Sequence, residues 1–150
     1  MAPEKRILVV EQAMFLSQFT NDHNYHPFML WENIEEKYPG TGLVRIEMCG
    51  TDDNLKSIIE EAAEFDVIVA TNMYSRGAVP NTGFLEKMIK AIKDKPVIIV
   101  SNSPFPVVVT DSMDTAFCIF SEMPESLKVA ADIITGSFEP QTEMPFKYIM

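Results

Sequence analysis

Cysteine, histidine and glycine are all scarce in this 150-residue chain, and each shortage removes a class of function. Two cysteines, Cys49 and Cys118, make neither a disulfide framework nor a cysteine-rich zinc site. Both fall within expected strands, where buried free thiols are the ordinary state. The two histidines, His23 and His26, share one short segment with Asp22. A metal centre needs imidazoles and a carboxylate to converge, which spacing along a loop does not impose, so no metal is expected. Of the six glycines, none lies between Glu11 and Pro27, where a dinucleotide-binding unit carries its glycine-rich turn. That segment opens Glu11-Gln12-Ala13-Met14, unlike the hydroxyl-rich phosphate loop of a flavodoxin. Thr71 stands near the position where a response-regulator receiver ends its third strand in aspartate. The motifs GxSxG, P-loop and HExxH are absent, and no cofactor is expected.

Positive charge is short as well. Twelve Lys and Arg stand against 22 Asp and Glu, a formal net charge of −10. Such a surface repels phosphate backbones, so no nucleic-acid partner is expected. No apolar run approaches the roughly 20 residues of a membrane span, so no membrane partner is expected either. The opening MAPEKRILVV passes from charge straight into a strand without the layout of a secretory signal, which makes a cytoplasmic location the default expectation. With 47% hydrophobic residues the chain can build a real core, and residues 1–150 are expected to form one domain.

What is present is a strand–loop–helix–strand unit from Phe65 to Pro104. Val67 to Ala70 and Pro96 to Val100 are apolar runs without alternation, the pattern of strands covered on both faces of a parallel sheet. Between them Leu85, Met88, Ile89 and Ile92 recur at helical spacing, with Lys87, Lys90 and Lys93 turned to water. Ile7 to Val10 gives a first strand, and the partly alternating Leu43 to Met48 gives an edge or half-covered one. Ala116 to Phe120 gives a fifth, and Phe146 to Ile149 is a candidate edge strand. Leu30, Trp31, Ile34 and Tyr38 form the stripe of a helix opened by Pro27 and stopped by Pro39-Gly40. Asp52 or Asp53 is placed to cap a second helix with Leu55, Ile58, Ile59, Ala62 and Ala63 inside. Pro124 starts a last helix, with Leu127, Ala130, Ala131 and Ile134 inside and Gly136 ending it. The expected fold is α/β: a three-layer sandwich with a mostly parallel sheet of five or six strands and helices on both faces, flavodoxin-like in appearance.

In such a sheet ligands meet the loops at the carboxyl ends of the strands. Asn72, Tyr74, Ser75 and Arg76 follow the third strand there, and Asp22 and His26 follow the first. Asn72, Tyr74, Arg76, Asp22 and His26 are therefore the substrate-binding candidates. Glu32, Glu35 and Glu36, like Glu60, Glu61 and Glu64, read as solvated helix faces rather than a catalytic pair. No catalytic residue is assigned.

The last fifty residues run KPVIIVSNSPFPV, TAFCIFSE, PESLKVAADIITG, FEPQTEMPF. This order resembles the C-terminal α/β-sandwich domain of glycoside hydrolase family 3. There a late helix reads Ala-x-x-x-Leu-x-Gly before Pro-Ser-Gly-x-Leu-Pro. Here Ala130 to Gly136 stands at the helix end, and Pro140, Met144 and Pro145 match the closing signature, while Gln141 and Thr142 depart from it. The resemblance implies a mostly parallel sheet between helices and a domain that packs on a (β/α)8 barrel. The barrel carries the nucleophilic aspartate, and 150 residues leave no room for it beside this domain. In the β-glucosidase branch the sandwich lends an acid/base glutamate after the middle strand. Thr71 to Ser75 holds no carboxylate, so the resemblance is nearer to the β-N-acetylglucosaminidase-like branch. The implied partners are the barrel of the parent enzyme and further copies of the chain through apolar loops at Pro104, Phe105, Phe138, Pro140 and Phe146. The alternative is a free-standing flavodoxin-like domain that binds a small ligand at the strand ends.

Overall fold

The computed structural model describes residues 5–13, 29–47, 49–73, 82–92, 94–103, 115–121 and 123–140. Among these, five strands form one all-parallel sheet in the order β2-β1-β3-β4-β5. The strands are β1 (Ile7–Gln12), β2 (Gly42–Ile46), β3 (Val67–Asn72), β4 (Val97–Ser101) and β5 (Thr115–Cys118). The helices are α1 (Met29–Glu35), α2 (Asp52–Ala62), α3 (Thr82–Ala91) and α4 (Pro124–Ile134).

Alternation of side chains divides the core into two layers. Leu8, Val10, Ile68, Ala70 and Ile99 meet Ile58 of α2 and Leu85, Met88 and Ile89 of α3. Ile7, Val9, Val69 and Val100 meet Leu30 and Ile34 of α1 and Leu127, Ala130 and Ala131 of α4. Every residue of β1 and of β3 is buried, which is why neither reads as alternating. The edge strand β2 buries Val44 and Ile46 and exposes Arg45, as its half-alternating sequence predicts.

Local chemistry fixes the helix ends. Thr51 caps α2: its hydroxyl accepts from Asn54 N and its own N–H donates to the side-chain Oδ1 of Asn54, a reciprocal capping box. This corrects the expectation of Asp52 or Asp53, which lie in the first turn instead. Lys95 donates to the carbonyls of Ala62, Ala63 and Phe65 at the other end of α2. Gly136, at φ +77°, closes α4 while Gly136 N donates to Ile133 O and Ser137 N to Asp132 O. Lys37, just past α1, reaches Asp132, Thr135 and Ser137 and so ties α1 to the end of α4.

Other expectations change. Cys49 is exposed and lies past β2, and Cys118 is only partly buried, because the strands end at Ile46 and Cys118. Phe120 is outside β5, in the left-handed region at φ +54° and 55% exposed. Ile59 and Ala63 of the α2 stripe face solvent, since the buried face of that helix is narrow. Pro27, Lys93, the tail signature beyond Pro140 and the candidate strand Phe146–Ile149 lie outside the described residues.

Candidate functional site

The carboxyl ends of β1, β3 and β4 carry a buried polar layer that the apolar strands lead into. Glu11, Gln12, Thr71, Asn72 and Ser101 are all essentially inaccessible. The register sets Ile46 beside Gln12, and Asn72 beside Ser101 and then Cys118 across the sheet. The β1–β3 ladder runs from Ile7/Val67 to Val10/Ala70, and side chains take over beyond it. Gln12 N donates to Thr71 Oγ1 at 2.8 Å, and Met73 N donates to Gln12 Oε1 at 2.6 Å. Ser101 Oγ lies 2.9 Å from Asn72 O and accepts from Ser103 N at 3.2 Å. These contacts hold the strand ends together where the chain turns into loops, and buried backbone groups need such partners.

Glu11 faces the other layer. Its Oε1 accepts from Leu30 N at 3.0 Å and its Oε2 from Trp31 N at 2.8 Å, clasping the first turn of α1. Burial pushes its carboxyl up to about 7, against the lowering effect of those two hydrogen bonds, and nearby Glu32 raises it further. With both oxygens engaged on backbone donors, Glu11 positions a helix. Among the described residues no second buried carboxylate stands near it to complete an acid/base pair, and no group of three His, Cys, Asp or Glu is arranged to hold a metal.

Of the sequence candidates, Asn72 is the last residue of β3 and fully buried, not a loop residue past the strand. Asp22, His26, Tyr74 and Arg76 lie outside the described residues. Glu11, Gln12, Thr71 and Ser101 are the members of the layer that the candidate set omitted. The signal available for them was the polar tail on each apolar run: Glu-Gln after LVV, Thr-Asn after IVA, Ser after IIV. Two described cavities lie elsewhere, one of about 370 Å³ by Lys5, Tyr38 and Gly40 and one of about 350 Å³ between β5 and α4. No helix among the described residues is long and apolar enough to cross a membrane.

No protein-family model and no curated protein matches the sequence. Solved structures do match. A glycoside hydrolase family 3 β-N-acetylglucosaminidase from Paenibacillus sp. str. FPU-7 superposes on 94% of this chain with a TM-score of 0.73 and 18% identity. This chain is the counterpart of a family 3 enzyme segment in fold. It covers 27% of that enzyme. A β-glucosidase from Listeria innocua, in complex with isofagomine, matches 92% of the chain at a TM-score of 0.70 and 16% identity, over 22% of its own length. A β-glucosidase from Erythrobacter marinus matches 90% at 0.57 and 12%, over 25% of its length. The chain thus spans about a quarter of the length of each of these three enzymes.

Proposed function

We propose that this chain is an ancillary sandwich domain of a family 3 glycoside hydrolase, non-catalytic by itself, which packs on a (β/α)8 barrel. The carrying observation is the superposition of nearly the whole chain on about a quarter of a family 3 β-N-acetylglucosaminidase. The chemistry of the sheet edge supports it. Glycoside cleavage uses two carboxyl groups, about 5 Å apart in retaining enzymes. The one buried carboxylate described at this edge, Glu11, is spent on α1. The nucleophile then belongs to the barrel, and a β-N-acetylglucosaminidase-like parent accounts for the lack of a carboxylate from Thr71 to Ser75. In this reading Tyr74 and Arg76, which follow β3 in sequence, and Asp22 and His26, which follow β1, are the candidates for contact with a sugar held on the barrel, together with the strand-end Asn72. Phe138, 50% exposed, and the exposed Pro140 are surfaces through which copies lacking a barrel associate.

The test is an assay of the purified chain against aryl β-glucosides and aryl N-acetyl-β-glucosaminides. The expected result is turnover indistinguishable from buffer. Turnover that disappears in Glu11→Gln or Asp22→Asn would overturn the proposal.

A further inference from the structure

Helix α1 has seven residues, too few to keep a helix by themselves, so its place depends on what grips its two ends. At the far end Lys37 reaches Asp132, Thr135 and Ser137, and Glu35 accepts from Gly40 N and Thr41 N. Trp31 Nε1 donates to Thr41 O at 2.9 Å. At the near end the first-turn donors Leu30 N and Trp31 N both close on the carboxyl of Glu11, nineteen and twenty residues back along the chain. Donors that a Ser, Asp or Asn beside the helix ordinarily satisfies are thus held by the end of β1.

We infer that this clasp is a pH-sensitive latch: the protonated Glu11 carboxyl keeps the first turn of α1 on the sheet, and loss of the proton lets that turn lift while the Lys37 end stays fast. The two hydrogen bonds and the partial positive charge of a helix start favour the ion, and burial opposes it. Burial wins, since Glu11 is 2% exposed and no buried cation accompanies it among the described residues. The charges around it do not reverse this. Glu32, in the same turn of α1, is of like sign and works against ionisation. Arg45 stands beside Glu11 in the β1–β2 register with its side chain in solvent. β3 ends in the uncharged Thr71 and Asn72. On α4, Glu125 and Lys128 are exposed, and Asp132 is engaged by Lys37. An ionised Glu11 therefore gains water when the turn above it lifts. With the proton on, the buried Leu30 keeps the latch shut. The inference does not rest on the glycosidase reading.

Hydrogen exchange of single amides in the full chain tests it, each rate being divided by the intrinsic rate at the same pH. For a carboxyl passing from about 7 when clasped to 4.5 when hydrated, protection of Leu30 N and Trp31 N should fall about 70-fold from pH 5 to pH 8. At pH 8 both should be about tenfold or more less protected than the amides of Met88 and Ile89 in α3, the mark of α1 opening without loss of the sheet. Glu11→Gln should abolish the fall. Level protection of Leu30 and Trp31 across this range overturns the inference. Protection equal to that of Met88 and Ile89 at pH 8 also overturns it, since α1 then leaves only when the whole domain unfolds. A fall that persists in Glu11→Gln assigns it to another group and overturns it too. The first two outcomes are read on the wild type alone, so a variant that fails to fold leaves the test intact.

Discussion

Replacing Glu11 by glutamine should remove a large part of the pH dependence of stability. The folded carboxyl sits at about 7 against an ordinary value of 4.5, because burial disfavours its charged form. A raised carboxyl means that the folded state holds its proton where the unfolded state has lost it. The stability from this group is therefore complete below about pH 4.5 and is lost as pH rises towards and through 7. The whole shift corresponds to about 3 kcal/mol, of which about 2 to 3 kcal/mol falls between pH 5 and pH 8. Glu11 is only 2% exposed, so solvent screening takes little from this figure. Glutamine keeps one acceptor for α1 but turns an amide donor towards the other N–H, at a pH-independent cost of about 1 to 2 kcal/mol. Urea denaturation followed by the fluorescence of Trp31, the single tryptophan, reads both effects. The wild type should lose stability from pH 5 to pH 8 relative to Glu11→Gln, so that the two curves converge or cross. Other groups titrate in both proteins and cancel in the difference. An identical pH slope in the two would refute the buried, proton-holding carboxyl.

Three further outcomes are expected. Thr51→Ala should cost about 1 kcal/mol in denaturant unfolding, since it removes the side-chain half of the α2 capping box. Gly42→Ala should cost about 1 to 3 kcal/mol, because the new Cβ would run into Phe65 Cζ and stand 2.9 Å from Leu8 Cδ1; Phe65→Leu in the same chain should recover part of it. Leu85→Ala, at a fully buried contact of α3 with the sheet, should cost about 2 to 5 kcal/mol and lower the urea midpoint accordingly.

The sheet was legible because β1, β3 and β4 each open on four apolar residues without alternation, too short for a buried helix and the pattern of strands covered on both faces. Helix α4 was legible from both ends, as Pro124 and Gly136 each have a backbone reason to stand where they do. The α2 cap was ambiguous because Thr51, Asp52 and Asp53 are all competent caps, and only the reciprocal bond with Asn54 decides among them. Glu11 is the harder case. In sequence it is a polar residue ending a strand, and its burial depends on a helix turn nineteen and twenty residues later arriving over it. The polar layer is likewise tertiary: Thr71 meets Gln12 across 59 residues and Ser101 meets Asn72 across 29. Spacing along the chain carries no trace of such pairs.

The central claim, that this domain serves a family 3 catalytic barrel, is tested most directly by sedimentation velocity of the purified chain mixed with the (β/α)8 barrel of a family 3 glycosidase from the same source. The account predicts a one-to-one complex whose aryl-glycoside turnover is abolished by replacing the barrel's nucleophilic aspartate and survives Glu11→Gln here. Two species that sediment as they do alone, at concentrations of about 10 μM where a standard-sized interface would hold, would contradict it.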